Sequence, residues 1–195
     1  MLITSCIGSF AIRLSSPFIV IYVTGIIGLT KTEWALIEGI SFGIAAVLTV
    51  PGGILADRKG RRPIIIFARS TVFLTNLIYL FFSGFYPILF LRMIAAVGLG
   101  FGGGLGGAIG AATGGAAWQS LQADLTAPSR RGRIIGLMGT FSSLCGLPSS
   151  NTGAFLWQVV SPEATLFSTV IIGFIPIIIF YRFVADPKFS QEKHN

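Results

Sequence analysis

Apolar residues form six long runs along the chain, separated by short polar or glycine-containing segments. The runs cover approximately residues 3–29, 34–55, 64–83, 87–121, 134–160 and 163–184. Because a helix rises about 1.5 Å per residue and the hydrocarbon core of a bilayer is about 30 Å thick, about 20 apolar residues are enough to cross it. The pattern predicts an all-α integral membrane protein, with a bundle of six transmembrane helices over residues 1–185 and a polar tail over residues 186–195.

The composition supports a membrane protein over a soluble one. Of the 195 residues, 53% are hydrophobic and 11% are charged, and the mean hydropathy is +0.81. A soluble core of this length cannot bury so much apolar surface. The net charge of +7 would suggest nucleic acid in a soluble chain, but here the basic residues lie between apolar runs. We therefore expect contact with membrane lipid and no nucleic acid.

Basic residues occur in alternate connections, which predicts the orientation of the bundle. They lie in the second connection, the fourth connection and the C-terminal segment: Arg58, Lys59, Arg61, Arg62; Arg130, Arg131, Arg133; Arg182, Lys188, Lys193. The other connections carry almost no positive charge. Since Lys and Arg are enriched on the cytoplasmic side of membranes, we expect both termini to be cytoplasmic.

The segment over residues 53–63 reads Gly-Ile-Leu-Ala-Asp-Arg-Lys-Gly-Arg-Arg-Pro. In a connection this short, Gly60 permits a tight turn. Asp57 is placed to accept hydrogen bonds from nearby cations, and Arg61 and Arg62 can face lipid headgroups or a carboxylate. The segment resembles the cytoplasmic loop signature of the major facilitator superfamily. Arg92 in the fourth run also resembles the fourth-helix arginine of that family.

The resemblance extends to Asp124 and the basic segment around Arg131, which is similar to the acidic-then-Arg-Gly loop of the same family. It implies a gating loop made of Gly53, Asp57, Arg58, Gly60, Arg61, Arg62, Asp124 and Arg131. Within it, Asp57, Arg61, Arg62 and Asp124 are expected to form a charge network that opens and closes as two bundles move in alternating access. The alternative is a static anchor that only sets the topology.

Two features depart from the family pattern. Ala96 occupies a position where many relatives have glycine. The fifth run contains Gly146, Pro148 and Gly153, which only partly resemble the signature of the antiporters in the family. The sequence therefore does not identify an antiporter.

Glycine recurs at intervals of four in the fourth run, at Gly98, Gly102, Gly106, Gly110 and Gly114. In membranes, such a series of small residues is a contact surface for another helix, because backbones approach closely there. A shorter series lies in the fifth run, at Ser142, Gly146, Ser150 and Ala154. The fourth run is longer than a bilayer requires, so it is predicted to break or to project. The Gly and Ala tract, residues 102–117, also makes the fourth run longer than the family pattern. The extra length is consistent with a natural insertion, an engineered segment or uncertain sequence.

Three charged residues fall inside predicted spans: Arg13, Glu38 and Arg92. Each costs about 2.5–3.5 kcal/mol in a membrane by insertion scales, so each is expected to face the bundle interior and to bind substrate. The arginines suit an anionic small molecule, and Glu38 could carry a proton. The alternative for Glu38 and Arg92 is an ion pair that only holds helices together.

Complete members of the family contain two six-helix repeats, and this chain contains one, most like a C-terminal half. We therefore expect it to pair with a second six-helix bundle, which is either a second copy in a homodimer or a separate chain. The predicted function is secondary active transport of a small solute by alternating access. The alternative is a non-transporting membrane subunit or assembly factor.

An enzyme is not expected, because the sequence has no nucleophile with its base, no metal-ligand cluster and no phosphate loop. The single histidine, His194, lies in the tail. Neither a cofactor nor a metal is predicted. Cys6 and Cys145 are expected to be reduced thiols.

Overall fold

The structure is a computed structural model that describes residues 2–102, 115–124 and 126–183. These ranges contain helices and turns but no strand. The helices are α1 (Leu2–Ile21), α2 (Lys31–Lys59), α3 (Arg61–Ile78), α4 (Phe85–Gly102), α5 (Gly115–Asp124), α6 (Arg131–Phe155) and α7 (Pro162–Phe183). Turns of π-helix extend α1 over Tyr22–Ile26 and α6 over Leu156–Val160, and a 3-10 turn at Pro128–Arg130 precedes α6.

Local sequence explains where α2 begins and ends. At its start, the backbone N–H of Glu33 donates to Thr30 Oγ1 over 3.2 Å, and the backbone N–H of Thr30 donates to Glu33 Oε2 over 2.8 Å. This reciprocal pair satisfies two N–H groups that a helix start leaves unpaired. At its end, Gly60 has φ of +91°, a conformation that other residues rarely adopt, and α3 begins at the next residue.

The helices pack in a defined order within the described part of the chain. The most extensive contacts join α2 to α4, α4 to α3, α3 to α7, α7 to α1, and α1 to α6. This order places α2 and α6 at the two ends of the series. One broad face of each is consequently exposed, with Val47 of α2 at 75% and Leu147 of α6 at 66%.

Small residues allow α1 and α6 to approach closely. Gly146 packs against the side chain of Arg13, and Gly153 packs against the backbone of Leu14. The hydroxyls of Ser9 and Ser142 lie 3.0 Å apart across the same interface. Members of the short Ser and Gly series in the fifth run therefore do contact another helix, as close packing of membrane helices favours.

Glycine also allows α4 to approach its two neighbours, α2 and α3, closely. A Cβ at Gly98 would meet Thr71 of α3 at 2.7 Å, and one at Gly100 would meet Ala45 of α2 at 3.0 Å. From the predicted glycine series, Gly98 is thus a contact within the bundle, and Gly102 is the last residue of α4. Gly106, Gly110 and Gly114 lie outside the described residues, as does the middle of the predicted fourth span.

Buried apolar side chains form three clusters between the ends of the bundle. One end contains Tyr22, Trp34, Tyr79, Ile88 and Leu166. The middle contains Ala11, Ile12, Phe73 and Ile177. The other end, which carries the turn at Gly60 and is called the basic end below, contains Ala56, Ile64, Ile65, Leu121 and Phe180.

Large apolar side chains also cover much of the outside of the bundle, including Val50 at 70% exposed, Phe90 at 67% and Ile178 at 63%. Such a surface fits lipid, because apolar side chains face the hydrocarbon while the backbone polar groups in the interior of each helix are paired within the helix. Among the described residues, three helical segments are long and apolar enough to span a membrane: Leu2–Ile26, Lys31–Lys59 and Pro162–Phe183. A shorter apolar segment covers Phe85–Phe101.

The count of six spans therefore stays a prediction. The composition of α3 and α6 explains why these two helices are not among the three segments that are apolar enough to span a membrane. α3 carries Arg61, Arg62 and Arg69, and α6 is rich in glycine and serine. Both features lower the mean hydropathy of these two helices and do not prevent helix formation. The predicted tail over residues 186–195 lies outside the described residues.

Candidate functional site

A cavity of about 370 Å³ lies between α1, α2, α3 and α4. Its apolar wall includes Ile12, Ile19, Trp34, Phe42, Val72 and Leu99. Its polar wall comprises Ser15, Ser16, Glu38, Ser41, Thr75, Asn76 and Arg92. The volume is typical of a site for a small molecule, and a mostly apolar wall with a few polar groups is typical of such sites.

Glu38 of α2 and Arg92 of α4 form an ion pair in the wall of this cavity. Their side chains are 25% and 19% exposed, so the pair is only partly solvated. The Arg92 guanidinium carbon also lies 5.0 Å from the centre of the Trp34 ring. Because Trp34 and Glu38 are four residues apart on α2, one face of the helix presents both to Arg92. The site can thus offer a cation, an anion, hydroxyls and an amide.

Arg13 lies outside the lining of this cavity. Its side chain packs against Gly146 of α6, and its Nε has no hydrogen-bond partner among the described residues. The neighbouring residues Ile12 and Ser15 line the cavity, whereas Arg13 does not. Each residue of an α-helix is turned about 100° from the previous one, so Arg13 faces α6 while Ile12 and Ser15 face the cavity. The structure brings Glu38 and Arg92 together and leaves Arg13 apart.

Arg69 of α3 is a buried charge that was not predicted from the sequence, with its side chain 1% exposed. Its guanidinium carbon lies 5.6 Å from the centre of the Phe180 ring of α7. The sequence could have indicated its burial, because Arg69 is a charged residue inside the third apolar run. The polar residues of the cavity, such as Ser41 and Asn76, were also missed, because serine and asparagine in an apolar run do not by themselves indicate which face is buried.

A second polar cluster lies at the basic end. Arg61, the first residue of α3, forms ion pairs with Asp57 at 3.6 Å and with Asp124 at the end of α5. Only Gly60 separates α2 from α3, so Gly53, Asp57 and Arg58 belong to α2 and not to a loop. Arg61 therefore joins three helices through two carboxylates.

Two further arginines bind backbone carbonyls at the same end. Arg62 donates to the carbonyl oxygen of Tyr181 and lies 5.1 Å from the centre of its ring, which connects α3 to α7. Arg131, the first residue of α6, donates from Nη2 to the carbonyl oxygen of Ala123 over 2.8 Å. The carbonyls at a helix end are good acceptors for cations, because they lack partners within the helix. Arg58 is exposed.

Within the described ranges, no three His, Cys, Asp or Glu side chains are grouped so that they could hold a metal ion. The arrangement is that of a helical bundle with an apolar outer surface, a cavity of small-molecule size and a charged cluster at one end. These features define an integral membrane protein.

The family follows from comparison with known proteins. The family model described as Major Facilitator Superfamily matches residues 1–195, so the chain belongs to the major facilitator superfamily. Its members are membrane transporters and not enzymes. No curated protein matches the chain significantly.

Proposed function

We propose that the chain is a secondary active transporter of a small polar solute, and that the cavity between α1, α2, α3 and α4 is its binding site. The observation that carries the proposal is the Glu38–Arg92 ion pair in the wall of that cavity. Charged side chains within membrane segments are costly, and they commonly mark substrate or ion pathways. Of the predicted substrate-binding residues, Glu38 and Arg92 are retained, whereas Arg13 is assigned to helix packing.

The proposal includes alternating access controlled at the basic end. Arg61 holds the ends of α2 and α5 through Asp57 and Asp124, and these contacts are partly exposed. Exposed ion pairs contribute less than about 1 kcal/mol each, so they can break and form as the bundle changes state. The cluster can therefore act as a latch that favours one state without fixing it.

The proposal also includes a second bundle, which we take to be a second copy of this chain. Two exposed helix faces that contain uncovered glycines support this pairing. These glycines are Gly39 and Gly43 on α2, and Gly132, Gly136 and Gly139 on α6. Within the described part of the chain, a Cβ added at any of these glycines would meet no atom within 4 Å. Small residues at the end helices of the series would let another bundle pack closely on either side.

Alternating access can be tested without knowing the substrate. Cys6 and Cys145 are first replaced by serine, and Ser41→Cys then places a single thiol in the cavity. Oriented vesicles are treated with a membrane-impermeant maleimide from one side or the other. We expect labelling from both sides, with rates that change in opposite directions when Asp124→Asn removes a contact of Arg61.

Val47→Cys is the matched control, because it lies on the exposed apolar face of the same helix and should not react from either side. Labelling of Ser41→Cys from one side only, with or without Asp124→Asn, would contradict alternating access. Pairing of two copies is tested by energy transfer between differently labelled chains in one membrane. Gly43→Phe on α2 or Gly139→Phe on α6 should abolish the transfer, depending on which face forms the contact, whereas Ile171→Phe on the exposed face of α7 should preserve it.

A further inference from the structure

We propose that Cys6 of α1 and Cys145 of α6 form a redox modification site, at which a small-molecule disulfide converts the two thiols into a covalent cross-link between the helices. Neither cysteine lines the cavity, and neither belongs to the charged cluster at the basic end. The inference goes beyond the proposed function and does not depend on it, because it concerns the packing of two helices and not the binding of a solute.

The two thiols face each other across the interface between α1 and α6. Both cysteines are free and half-buried, and the thiol of Cys6 is a hydrogen-bond partner of the thiol of Cys145. Ser9 follows Cys6 by three residues, and Ser142 precedes Cys145 by three residues. Residues three apart lie on one face of a helix. The contact between the two serine hydroxyls, at 3.0 Å, therefore places the cysteines in the same interface by an independent observation.

The register of the two helices brings the cysteines to the same level. Leu14 lies eight residues after Cys6, and Gly153 lies eight residues after Cys145. Gly153 packs against the backbone of Leu14, and the serine contact precedes this one on both helices, so the helices run in the same direction. Eight residues span about 12 Å on each helix. Small residues let the two backbones approach closely, and a disulfide requires Cα atoms about 4.4–6.8 Å apart.

The cross-link forms by thiol–disulfide exchange in two steps. The thiolate of one cysteine attacks a sulfur of the small disulfide, whose S–S bond breaks, so that one small thiol leaves and a mixed disulfide remains on the protein. The second cysteine loses its proton and attacks the protein sulfur of the mixed disulfide, which releases the second small thiol. In total, the two cysteines lose two hydrogen atoms and form one S–S bond, and the small disulfide is reduced to two thiols.

The position of the pair gives the cross-link a mechanical effect. α6 lies at one end of the series of helices, and its most extensive contacts in the described part of the chain are with α1. A covalent bond there fastens an end helix to the bundle and closes most of the chain into a loop, which stabilises the folded state by restricting the unfolded one. Because thiol–disulfide exchange is reversible, a reducing thiol restores the separate cysteines.

Intact-protein mass spectrometry tests the site directly. The full chain in lipid nanodiscs is treated with dipyridyl disulfide, a small apolar disulfide that leaves a bound pyridyl group on any isolated thiol. We expect the unsubstituted chain to lose two hydrogen atoms and to carry no pyridyl group, because the second thiol lies beside the mixed disulfide and resolves it quickly. Cys6→Ser and Cys145→Ser should each carry one pyridyl group.

Two further measurements follow the cross-link in the unsubstituted chain. After cleavage at basic residues, the fragments that contain Cys6 and Cys145 should stay joined until dithiothreitol is added. The midpoint of thermal unfolding should rise by at least about 4 °C on oxidation and return on reduction. A cross-link that leaves this midpoint unchanged would overturn the claim that it fastens α6 to the bundle.

A matched control moves one thiol to the open face of the same helix. Gly139→Cys combined with Cys145→Ser keeps one cysteine on α1 and one on α6, but a Cβ at Gly139 meets no atom within 4 Å. This variant should carry two pyridyl groups and form no cross-link within the chain. A cross-link as efficient as that of the natural pair would overturn the inference, because it would show that the reaction does not depend on the described interface.

A positive control uses the neighbouring serines. Ser9→Cys and Ser142→Cys, in a chain whose natural cysteines are serine, should cross-link, because the two hydroxyls lie 3.0 Å apart. Two pyridyl groups on the natural pair, together with a cross-link in this variant, would overturn the inference. Two pyridyl groups on both pairs would contradict the packing of α1 on α6, and the inference with it. The transport test uses Ser41→Cys without the natural cysteines, so its outcome is separate.

Discussion

Arg61, the first residue of α3, pairs with Asp124, the last residue of α5, across 63 positions of the chain. The same guanidinium lies 3.6 Å from the carboxylate of Asp57, which is four residues earlier in the chain, near the end of α2. One arginine thus links the ends of three helices at the basic end. Its contacts can be broken one at a time, which makes their separate contributions measurable.

Asp124→Asn removes the long-range contact of Arg61 and keeps the size of the side chain. Because Asp124 is 42% exposed, we expect the free energy of unfolding to fall by less than about 1 kcal/mol. The larger effect should be on access to the cavity, measured by side-specific labelling of Ser41→Cys. A large loss of thermal stability with unchanged labelling would indicate a structural anchor.

Gly60→Ala tests the turn between α2 and α3. Gly60 has φ of +91° and ψ of 152°, a region that is almost exclusive to glycine, so a side chain there should destabilise the protein by about 1–3 kcal/mol. Gly53→Ala is the matched control, because Gly53 is helical and a Cβ there would meet no atom within 4 Å. Replacing a glycine inside a helix should stabilise it by about 0.5–1 kcal/mol. Thermal unfolding in detergent measures both variants, and equal effects would contradict the turn assignment.

A double-mutant cycle measures the coupling between Glu38 and Arg92. Each single change, Glu38→Gln or Arg92→Gln, leaves the other charge partly buried and unpaired. We expect each to destabilise the protein, and the double variant to recover about 2 kcal/mol or more relative to the sum of the two. Additive effects in thermal unfolding would mean that the two side chains do not interact.

Gly153→Ala should separate α1 from α6. A Cβ at Gly153 would overlap the backbone of Leu14, which cannot move as a side chain does. We expect a loss of about 1–3 kcal/mol, the usual cost of overpacking. Gly139→Ala, on the open face of the same helix, should have no such effect on the isolated bundle. Unfolding temperatures of the two variants compare the sites directly.

Arg13→Ala distinguishes helix packing from substrate binding. Because Arg13 faces Gly146 and does not line the cavity, the labelling rate of Ser41→Cys should not change. Arg92→Ala should change that rate, because it removes a side chain from the cavity wall. If Arg13→Ala altered labelling as strongly as Arg92→Ala, the cavity would have to extend to α6 in another state.

Part of the proposed site was predictable from the sequence, because membrane burial strongly restricts where charged residues occur. Glu38 and Arg92 stood out in apolar runs, and the segment around Gly60 indicated a tight turn between two helices. Arg13 was equally prominent, yet its assignment to the substrate site does not match its position. A charge in a span predicts an inward direction, but a bundle of this kind has more than one interior interface.

The sequence by itself determined the class of protein, the family and the identity of the costly charges, since these depend on composition, hydropathy and a short motif. Only the tertiary structure decided which charges meet. Glu38 and Arg92 pair because α2 and α4 pack together at that level, and Arg61 reaches Asp124 because α5 ends beside α3. Hydropathy is a property of each helix by itself. The direction in which a side chain points within the bundle depends on how neighbouring helices are rotated and positioned.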